Sequence, residues 1–338
     1  MLTLNARRPA APVLDVQHIS LDQVLTTPAK SWHGQSVLTT SDRLLALRER
    51  LPSFHRAPFI VNGIENPGID VIVEDNLDYP ITTVSKSYGL VQHATVFDQA
   101  IDSLSGFGFD VHGLDAELAL TAHGERLKIS FTLPGFDFDP GDGCPLVLKM
   151  NLLNSVDKTT SVAIELEWLR LVCGNGLMYG IGSAGFRKAH FCGISEMDIA
   201  EYLTSSLRSV PQDRSLMQHW LQTTVTVDRT LTWVDRDVAG QWGEPTAARL
   251  WHILRHGQDA KPEIVRGTEH DDHQPTPPAH TRPVIPLATI PGAFAPVSNG
   301  YHVAQALSWI AKENTNMGTR LRRIKEIPDL MQPLLSGN

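Results

Sequence analysis

The sequence predicts an α+β fold, in which an antiparallel β-meander is packed by amphipathic helices and followed by a helical C-terminal part. Two observations predict it. Apolar residues alternate with period two through residues 118–168, and apolar spacing of helical period lies on both sides of that stretch. The 338 residues, 42% of them hydrophobic and 20% charged, are typical of a globular chain of one large or two ordinary domains.

The predicted meander consists of four strands that follow one another along the chain. Their apolar positions alternate over residues 118–122, 127–133, 146–152 and 162–168. Gly124 separates the first two strands, which is typical of a hairpin. Because only alternate positions are apolar, we expect one face of this sheet to be buried against helices.

The predicted helices flank the meander. Phe97, Ile101 and Leu104 lie on one helical face between Thr95, a candidate N-cap, and Gly106, a candidate stop. Further helices are predicted from Ser195, over residues 216–224 and 246–254, and from Ser298. A short helix is predicted over residues 41–50 and a strand over 70–75.

Composition divides the chain into five segments. Residue types shift from Pro, Thr, Ser and Gln at the start to apolar alternation, then to helical spacing, and seven prolines occur between residues 270 and 297. The segments are an irregular N-terminal arm with a short helix (1–56), an α+β core with the antiparallel sheet (57–193), a helical segment (194–269), a Pro-rich connector (270–297), and a C-terminal helix with a basic tail (298–338).

The charge is unevenly distributed. The chain carries a formal net charge of −8, which argues against a protein that binds nucleic acid indiscriminately. Residues 57–125 hold eleven acidic residues and one basic residue, Lys86, and therefore account for −10, so that +2 remains for the rest. The acidity is therefore regional.

Cysteine content and hydropathy indicate the compartment. The three cysteines form no C-x-x-C pair, which favours a reducing environment. The first residues lack the apolar block of a signal peptide, and nowhere is there a run of about 18 apolar residues that would cross a membrane. We therefore expect a cytoplasmic protein without membrane contact.

Three motifs typical of catalysis or cofactor binding are only weakly supported by their sequence context. Residues 180–185 spell G-x-G-x-x-G, but no βαβ unit surrounds them, so a loop is the better interpretation. The acidic turn at 137–142 lacks the Glu that a calcium loop needs at its twelfth position. The His/Asp cluster at 270–280 lies in the Pro-rich connector, which cannot preorganise it. We expect no catalysis, no cofactor and no metal.

A series of basic and polar residues on or beside the meander is the remaining candidate site. Cations with interleaved amides and hydroxyls are the groups that bind a phosphate backbone, although any sheet also presents such residues to water. The candidate DNA-binding residues are Lys149, Asn154, Ser155, Lys158, Arg170, Asn175, Arg187 and Lys188. The C-terminal tail adds Arg320, Arg322, Arg323 and Lys325, which a solvated helix end would explain equally well.

Several short motifs carry a family resemblance. They are Tyr88-Gly89-Leu90-Val91-Gln92-His93, Asn154-Ser155, Arg170-Leu171-Val172-Cys173-Gly174-Asn175, His190, and Ser298-Asn299-Gly300-Tyr301. In this order, from about residue 60 to the end, the chain resembles the phage/plasmid-like proteins of domain-of-unknown-function family 932. It departs from the family pattern at Gly174 and Gly176, and at Val156-Asp157, where the family tends to have a His-Asp-Gly turn.

The resemblance implies a function. The family's core is similar to single-strand annealing proteins, which act in DNA recombination, bind single-stranded DNA by its phosphates and assemble as homo-oligomers. By this resemblance, phosphate would be neutralised by Arg170, Arg187 and Lys188, and hydrogen bonds would come from Asn154, Ser155 and Asn175. Such binding needs cations but no catalytic group.

Two other function classes stay open. One is an interaction protein of mobile elements, such as an inhibitor of a host defence complex or a DNA mimic, which would use the acidic 57–125 region. The other is a nucleotide-dependent enzyme, which rests on the glycine triplet alone.

Overall fold

The fold is described by a computed structural model over residues 29–170, 199–263, 277–290 and 292–336; the side chains of Arg170 and of residues 199–206 lie outside this description.

A six-stranded antiparallel sheet forms the centre of the fold. Its order is β1-β2-β6-β7-β8-β9, so the four strands of the predicted meander are consecutive neighbours. Leu118 pairs with Ile129, and Phe131 pairs with Met150, which fixes the register. The strands are β1 (Ser31–Trp32), β2 (Gln35–Arg43), β6 (Asp115–Thr121), β7 (Arg126–Phe138), β8 (Leu146–Ser155) and β9 (Ala163–Arg170).

Two smaller antiparallel sheets accompany it. One consists of β3 (Phe54–Val61), β4 (Ile64–Glu74) and β5 (Tyr79–Ser85), and the other of β10 (Gln258–Pro262) and β11 (Val284–Thr289). The β3–β4 hairpin turns at Asn62-Gly63, where both residues have positive φ angles of 53° and 77°. An Asn-Gly pair suits such a turn because Asn tolerates, and Gly freely adopts, that conformation.

Helices surround the sheets. Among the described residues they are α1 (His93–Gly106), α2 (Ile199–Gln222), α3 (Val227–Trp233), α4 (Ala239–Trp242), α5 (Glu244–His256), α6 (Gly300–Lys312) and α7 (Met317–Leu335). A π-helical turn over Val234–Val238 joins α3 to α4. The structure thus confirms the α+β class and the helical C-terminal part.

One face of the main sheet packs into the hydrophobic core. Ile129, Phe131 and Met150 are fully buried there, together with Phe97 and Leu104 of α1. These side chains come from the alternate positions that the sequence pattern selects, because successive residues of a strand point to opposite faces. The predicted meander and its flanking helix are confirmed.

The N-terminal prediction was wrong for part of its length. Within the predicted irregular arm, residues 31–32 and 35–43 form β1 and β2, and β2 pairs with β6 over seven residues. Leu38 is 66% exposed, so β2 lacks the apolar alternation that would reveal it; its pairing with distant β6 creates the strand. The predicted helix at 41–50 is a 3-10 helix over Leu44–Arg50.

The Pro-rich connector is also more regular than expected. Its residues 284–289 form β11, which pairs with β10 and contains Pro286 opposite Ala260. In a two-stranded sheet each strand is an edge, where a proline is tolerated because its missing N–H costs no ladder bond. Residues 270–276 of the connector lie outside the described ranges.

Candidate functional site

The second face of the main sheet is polar, yet it is buried. Strand alternation places on it Glu117, Lys128, Ser130, Lys149, Asn151, Glu165 and Glu167. Only 4% of Lys128, 6% of Lys149 and 1% of Glu167 remain exposed. We call this surface the polar face.

The two C-terminal helices cover the polar face. Met317 and Leu321 of α7 pack with Ala119, Leu153 and Ala163 of the sheet in a small apolar cluster. This cluster holds α7 across one end of the polar face, where Lys325 forms an ion pair with Glu165. Helix α6 adds Lys312, which is buried and on which Lys149 and Glu167 of the polar face act electrostatically.

Strand register sets the polar side chains into rows. One row runs across the sheet as Glu117, Ser130, Asn151 and Glu165, and the Ser130 hydroxyl donates a hydrogen bond of 2.6 Å to Asn151 Oδ1. The next row places Lys149 directly opposite Glu167. Directly opposed residues have Cβ atoms about 4.5–5.5 Å apart, so the polar face is one continuous cluster.

Cations outnumber carboxylates among the buried members of the cluster. Lys128, Lys149, Lys312 and Arg320 are at most 7% exposed, as are the carboxylate residues Glu165 and Glu167. Arg320 donates to the carbonyl of Asn314 and is attracted by Glu313 and Glu117, so the three lysines are the cations that two buried carboxylates have to balance. Taking a charged group out of water is costly unless it is paired, so this excess needs a physical explanation.

Burial and mutual repulsion shift the pKa values of the cluster. Burial, followed by the positive charge of Lys149, holds the pKa of Lys312 well below its usual value, and the carboxylate of Glu167 opposes that shift. Burial also lowers the pKa of Lys128. The pKa of Glu165 is raised because its burial outweighs the attraction of Lys325.

Several donors in the cluster lack acceptors. Within the described ranges, the ammonium groups of Lys128, Lys149 and Lys312 take part in no hydrogen bond or ion pair. The donor atom Asn151 Nδ2 is buried without a hydrogen-bond partner as well, as is one acceptor of the same face, Glu167 Oε2. Buried polar groups are normally hydrogen-bonded, so a set of unpaired donors in one place is suited to an anion that brings several acceptor oxygens.

A cleft of about 530 Å³ opens beside the polar face. Its walls include the loop between β8 and β9, Ala163 and Glu165 of β9, and α7 residues from Gly318 to Asp329. Hydroxyl and charged groups line it, including Thr159, Thr160, Ser161, Arg322 and Lys325. Glu165 belongs both to this cleft and to the polar face, so the Lys325–Glu165 ion pair lies between them.

The predicted DNA-binding residues do not lie together on one exposed surface within the described ranges. Lys149 is in the polar face, and Lys158 is exposed and donates to the carbonyl of Thr83 at 2.6 Å. Of Arg170 only the backbone is described, as the last residue of β9. Asn175, Arg187 and Lys188 lie outside the described residues.

Asn154 and Ser155 are not at the surface, contrary to expectation. Both are fully buried. Asn154 Nδ2 donates to the carbonyl of Val91 at 3.0 Å and to Nδ1 of His93 at 2.9 Å, while Ser155 donates to the carbonyl of Thr160 at 2.7 Å. These bonds hold the polar atoms of both side chains inside the fold, so neither is available to a phosphate.

The family motifs in the described ranges therefore hold the fold together. His93 Nε2 lies 2.7 Å from the carbonyl of Gly124, which ties the start of α1 to the β6–β7 hairpin. Asn299 caps α6 by accepting from the backbone N–H of His302. At Gly300, a Cβ atom would lie 2.7 Å from Leu335 Cδ2, so the motif glycine allows a close contact between α6 and α7.

Exposed cations outside the cluster are largely neutralised. Carboxylates pair with many of them: Arg43 with Asp115, Arg48 with Asp98, Arg50 with Asp42, Arg56 and Lys86 with Asp70, Arg236 with Asp237, and Arg322 with Glu326. Of the basic tail, Arg320 is buried and Lys325 is paired with Glu165. Lys30, Arg255 and Lys261 are exposed cations for which no ion pair is found among the described residues, so the polar face differs from them in that its unpaired lysines are buried.

Sequence reasoning did not identify Lys128 or Lys312 as candidate site residues. The signal for Lys128 was available: it shares its alternating positions with Ser130 and Thr132 and lies between apolar residues. The burial of the polar face could not be predicted from the strand sequence. The helices that cover it, α6 and α7, begin more than 140 residues after Lys128 in the chain.

Comparison with known proteins identifies the family. No helix of the described residues is long and apolar enough to cross a membrane. No curated protein and no solved structure matches the chain, so the likeness of its core to annealing proteins stays a prediction. A family model, Domain of unknown function (DUF932), matches residues 80–271, which is more than half of the chain and includes β6 to β9. The chain therefore belongs to the DUF932 family.

Proposed function

We propose that this protein binds a phosphate-bearing ligand through its polar face, and that the ligand is single-stranded DNA. The observation that carries the proposal is the group of three buried lysines, Lys128, Lys149 and Lys312, whose ammonium groups form no ion pair within the described part of the chain. Phosphate oxygens supply the missing negative charge and the missing acceptors together.

The choice of DNA rests on the family resemblance. The resemblance of the motifs implies a core similar to single-strand annealing proteins, and binding without sequence preference needs cations but no catalytic group. Lys149, one of the residues predicted for this role, lies at the centre of the cluster. Arg170, Arg187 and Lys188 keep their proposed contact with the phosphates of the strand. The same resemblance leads us to propose a homo-oligomer.

Fluorescence anisotropy with a labelled oligonucleotide tests the proposal. We expect binding at low salt that weakens steeply as salt increases, because phosphate contacts release counterions. The variant K128Q/K149Q and the variant R187E/K188E are each expected to bind more weakly. Lys261, an exposed lysine of β10, supplies the matched control K261Q. Binding that is absent at low salt, or equal in all variants, contradicts the proposal.

A second candidate function is protein–protein interaction through the acidic region. The specific observation is the tip of the β3–β4 hairpin, where Ile60, Val61 and Ile64 are 55%, 52% and 76% exposed. Exposed apolar groups close together are typical of an interaction surface. A pull-down from host lysate separates the candidates: one stoichiometric protein partner without retained nucleic acid, lost in the variant I64S, favours interaction over DNA binding.

A further inference from the structure

The β3–β4 hairpin projects beyond the sheet to which it belongs. Strand β5 pairs with residues 69–74 of β4, so the hairpin continues before Ile69 as a ribbon of two strands. Ile60, Val61 and Ile64 lie at the end of this ribbon, and each is more than half exposed. We call these three residues the hairpin tip. Aliphatic side chains that cluster in water in this way are typical of a contact surface.

A mainly apolar groove of about 270 Å³ opens between the three-stranded sheet and the main sheet. Leu77 of the β4–β5 turn and Leu38 of β2 line it, and they are 63% and 66% exposed. Pro52, Leu120 and the ring of His123 contribute to its walls. We call this pocket the edge groove. It exposes large aliphatic side chains in a concave surface, as the hairpin tip does in a convex one.

The hairpin tip and the edge groove lie at opposite ends of one strand. Ile64 begins β4, and Glu74, which lines the groove, ends it. The residues of β4, at about 3.3 Å each, separate the two surfaces by about 30 Å. The tip of one molecule therefore cannot fill the groove of the same molecule, and the two surfaces can meet only between molecules.

The charged residues beside the two surfaces have opposite signs. Glu65 follows Ile64 at the tip, and its side chain is 54% exposed. Arg50 lines the groove, and its ion pair with Asp42 is open to solvent. The carboxylate of Glu74 does not oppose a second carboxylate at the rim, because Glu74 is buried and accepts hydrogen bonds from its own turn. Tip and groove therefore complement each other in charge as well as in apolar surface.

We infer that the hairpin tip of one molecule inserts into the edge groove of a second copy, so that copies of this chain associate head to tail. A second copy is the partner because one contact then covers both exposed apolar surfaces, whereas tip-to-tip pairing would leave Leu38 and Leu77 in water. A contact between two different surfaces repeats, and it builds a ring if the rotation closes or a filament if it does not. The inference rests on the proposed homo-oligomer and names the contact that builds it.

Sedimentation velocity of the full chain over a range of protein concentrations tests the contact. We expect wild type to form species larger than a monomer as the concentration rises. The variants I64S and L77S should each weaken association about tenfold, because each removes one aliphatic side chain that the contact buries. Leu287 is an exposed leucine of β11, so L287S is the matched control and should associate like wild type. All three positions are exposed, so the melting temperature should stay that of wild type.

A mixture of the two variants tests the head-to-tail arrangement. I64S keeps an intact groove and L77S keeps an intact tip. The mixture should therefore form a dimer with one copy of each variant, at concentrations where each variant alone is a monomer. If no mixed dimer forms, or if L77S associates like wild type while I64S does not, the contact joins tip to tip and the inference is overturned.

The outcomes separate this contact from the proposed function. A wild type that stays monomeric overturns the contact and the homo-oligomer together, and leaves the hairpin tip to a foreign protein partner. Association that neither variant weakens overturns the contact and keeps the homo-oligomer. Oligonucleotide affinity and its fall with salt are measured separately on the same samples. A wild type that associates as expected but binds no oligonucleotide supports the contact and overturns DNA as the ligand.

Discussion

Replacing Lys312 by methionine should make the protein more stable. Lys312 is 5% exposed, and within the described ranges its ammonium group has no hydrogen bond or ion pair. Methionine keeps most of the aliphatic length of lysine, so the packing of the stem is retained. The substitution removes a buried charge that lies near the like charges of Lys149 and Lys128.

The expected gain is about 1–3 kcal/mol. Replacing buried ionic groups by apolar residues of similar volume often stabilises a protein by about 1–4 kcal/mol. We take the lower part of that range because Glu167 loses a favourable neighbour when the ammonium group of Lys312 is removed.

The gain should depend on pH with a definite sign. The pKa of Lys312 is lower in the folded protein than in the unfolded chain, so the unfolded chain binds more protons between the two values. Wild-type stability therefore rises with pH through that window, while the variant lacks this contribution. The advantage of K312M should grow as pH falls through that window and should vanish above the ordinary lysine pKa of about 10.4.

Urea denaturation at about pH 7 and about pH 10 measures this effect through the free energy of unfolding. The control K261M replaces an exposed lysine and should change stability by less than about 0.5 kcal/mol. A K312M variant that is less stable than wild type at neutral pH, or whose advantage does not change with pH, would refute the reasoning. The ammonium group would then be paired in the native state.

Three further predictions concern single residues. Burial raises the pKa of Asp213 to about 7, so the free energy of unfolding of wild type should decrease as pH rises from about 4 to 7. In D213N this decrease should be smaller, and the melting temperature at about pH 8 should be higher than that of wild type. N154A should cost about 2–4 kcal/mol in urea denaturation, because it removes the two buried hydrogen bonds that the Asn154 amide donates to Val91 O and His93 Nδ1. G300A should lower stability by about 1 kcal/mol despite the helix propensity of alanine, since its Cβ would contact Leu335; a rise in melting temperature contradicts this.

The sequence pattern predicted the meander because its information is local. The alternation of apolar residues in β6 to β9 identifies the residues of the core face directly. Phe131 and Met150 are buried, as that pattern predicts. Strand β2 escaped prediction because half of its side chains are exposed and its partner, β6, lies some 75 residues away in sequence. Its identity as a strand depends on a contact that no local window contains.

The candidate site was predictable only in part. Lys149 was recognised as a cation on a strand, but its burial depends on α6 and α7, which reach the polar face from the other end of the chain. Asn154 and Ser155 were recognised as polar motif residues, and their hydrogen bonds to the backbone show why a motif residue can serve the fold rather than a ligand. Residue type alone cannot distinguish these two roles.

The salt dependence of oligonucleotide affinity in wild type and in K128Q/K149Q tests the central claim most directly. For single strands the logarithm of the binding constant falls with the logarithm of salt concentration by about 0.7 for each phosphate contact. If phosphate occupies the polar face, the wild-type slope is steep and the double variant loses about 0.7–1.4 of it. Equal slopes in the two proteins, or an affinity that salt does not change, would contradict the account.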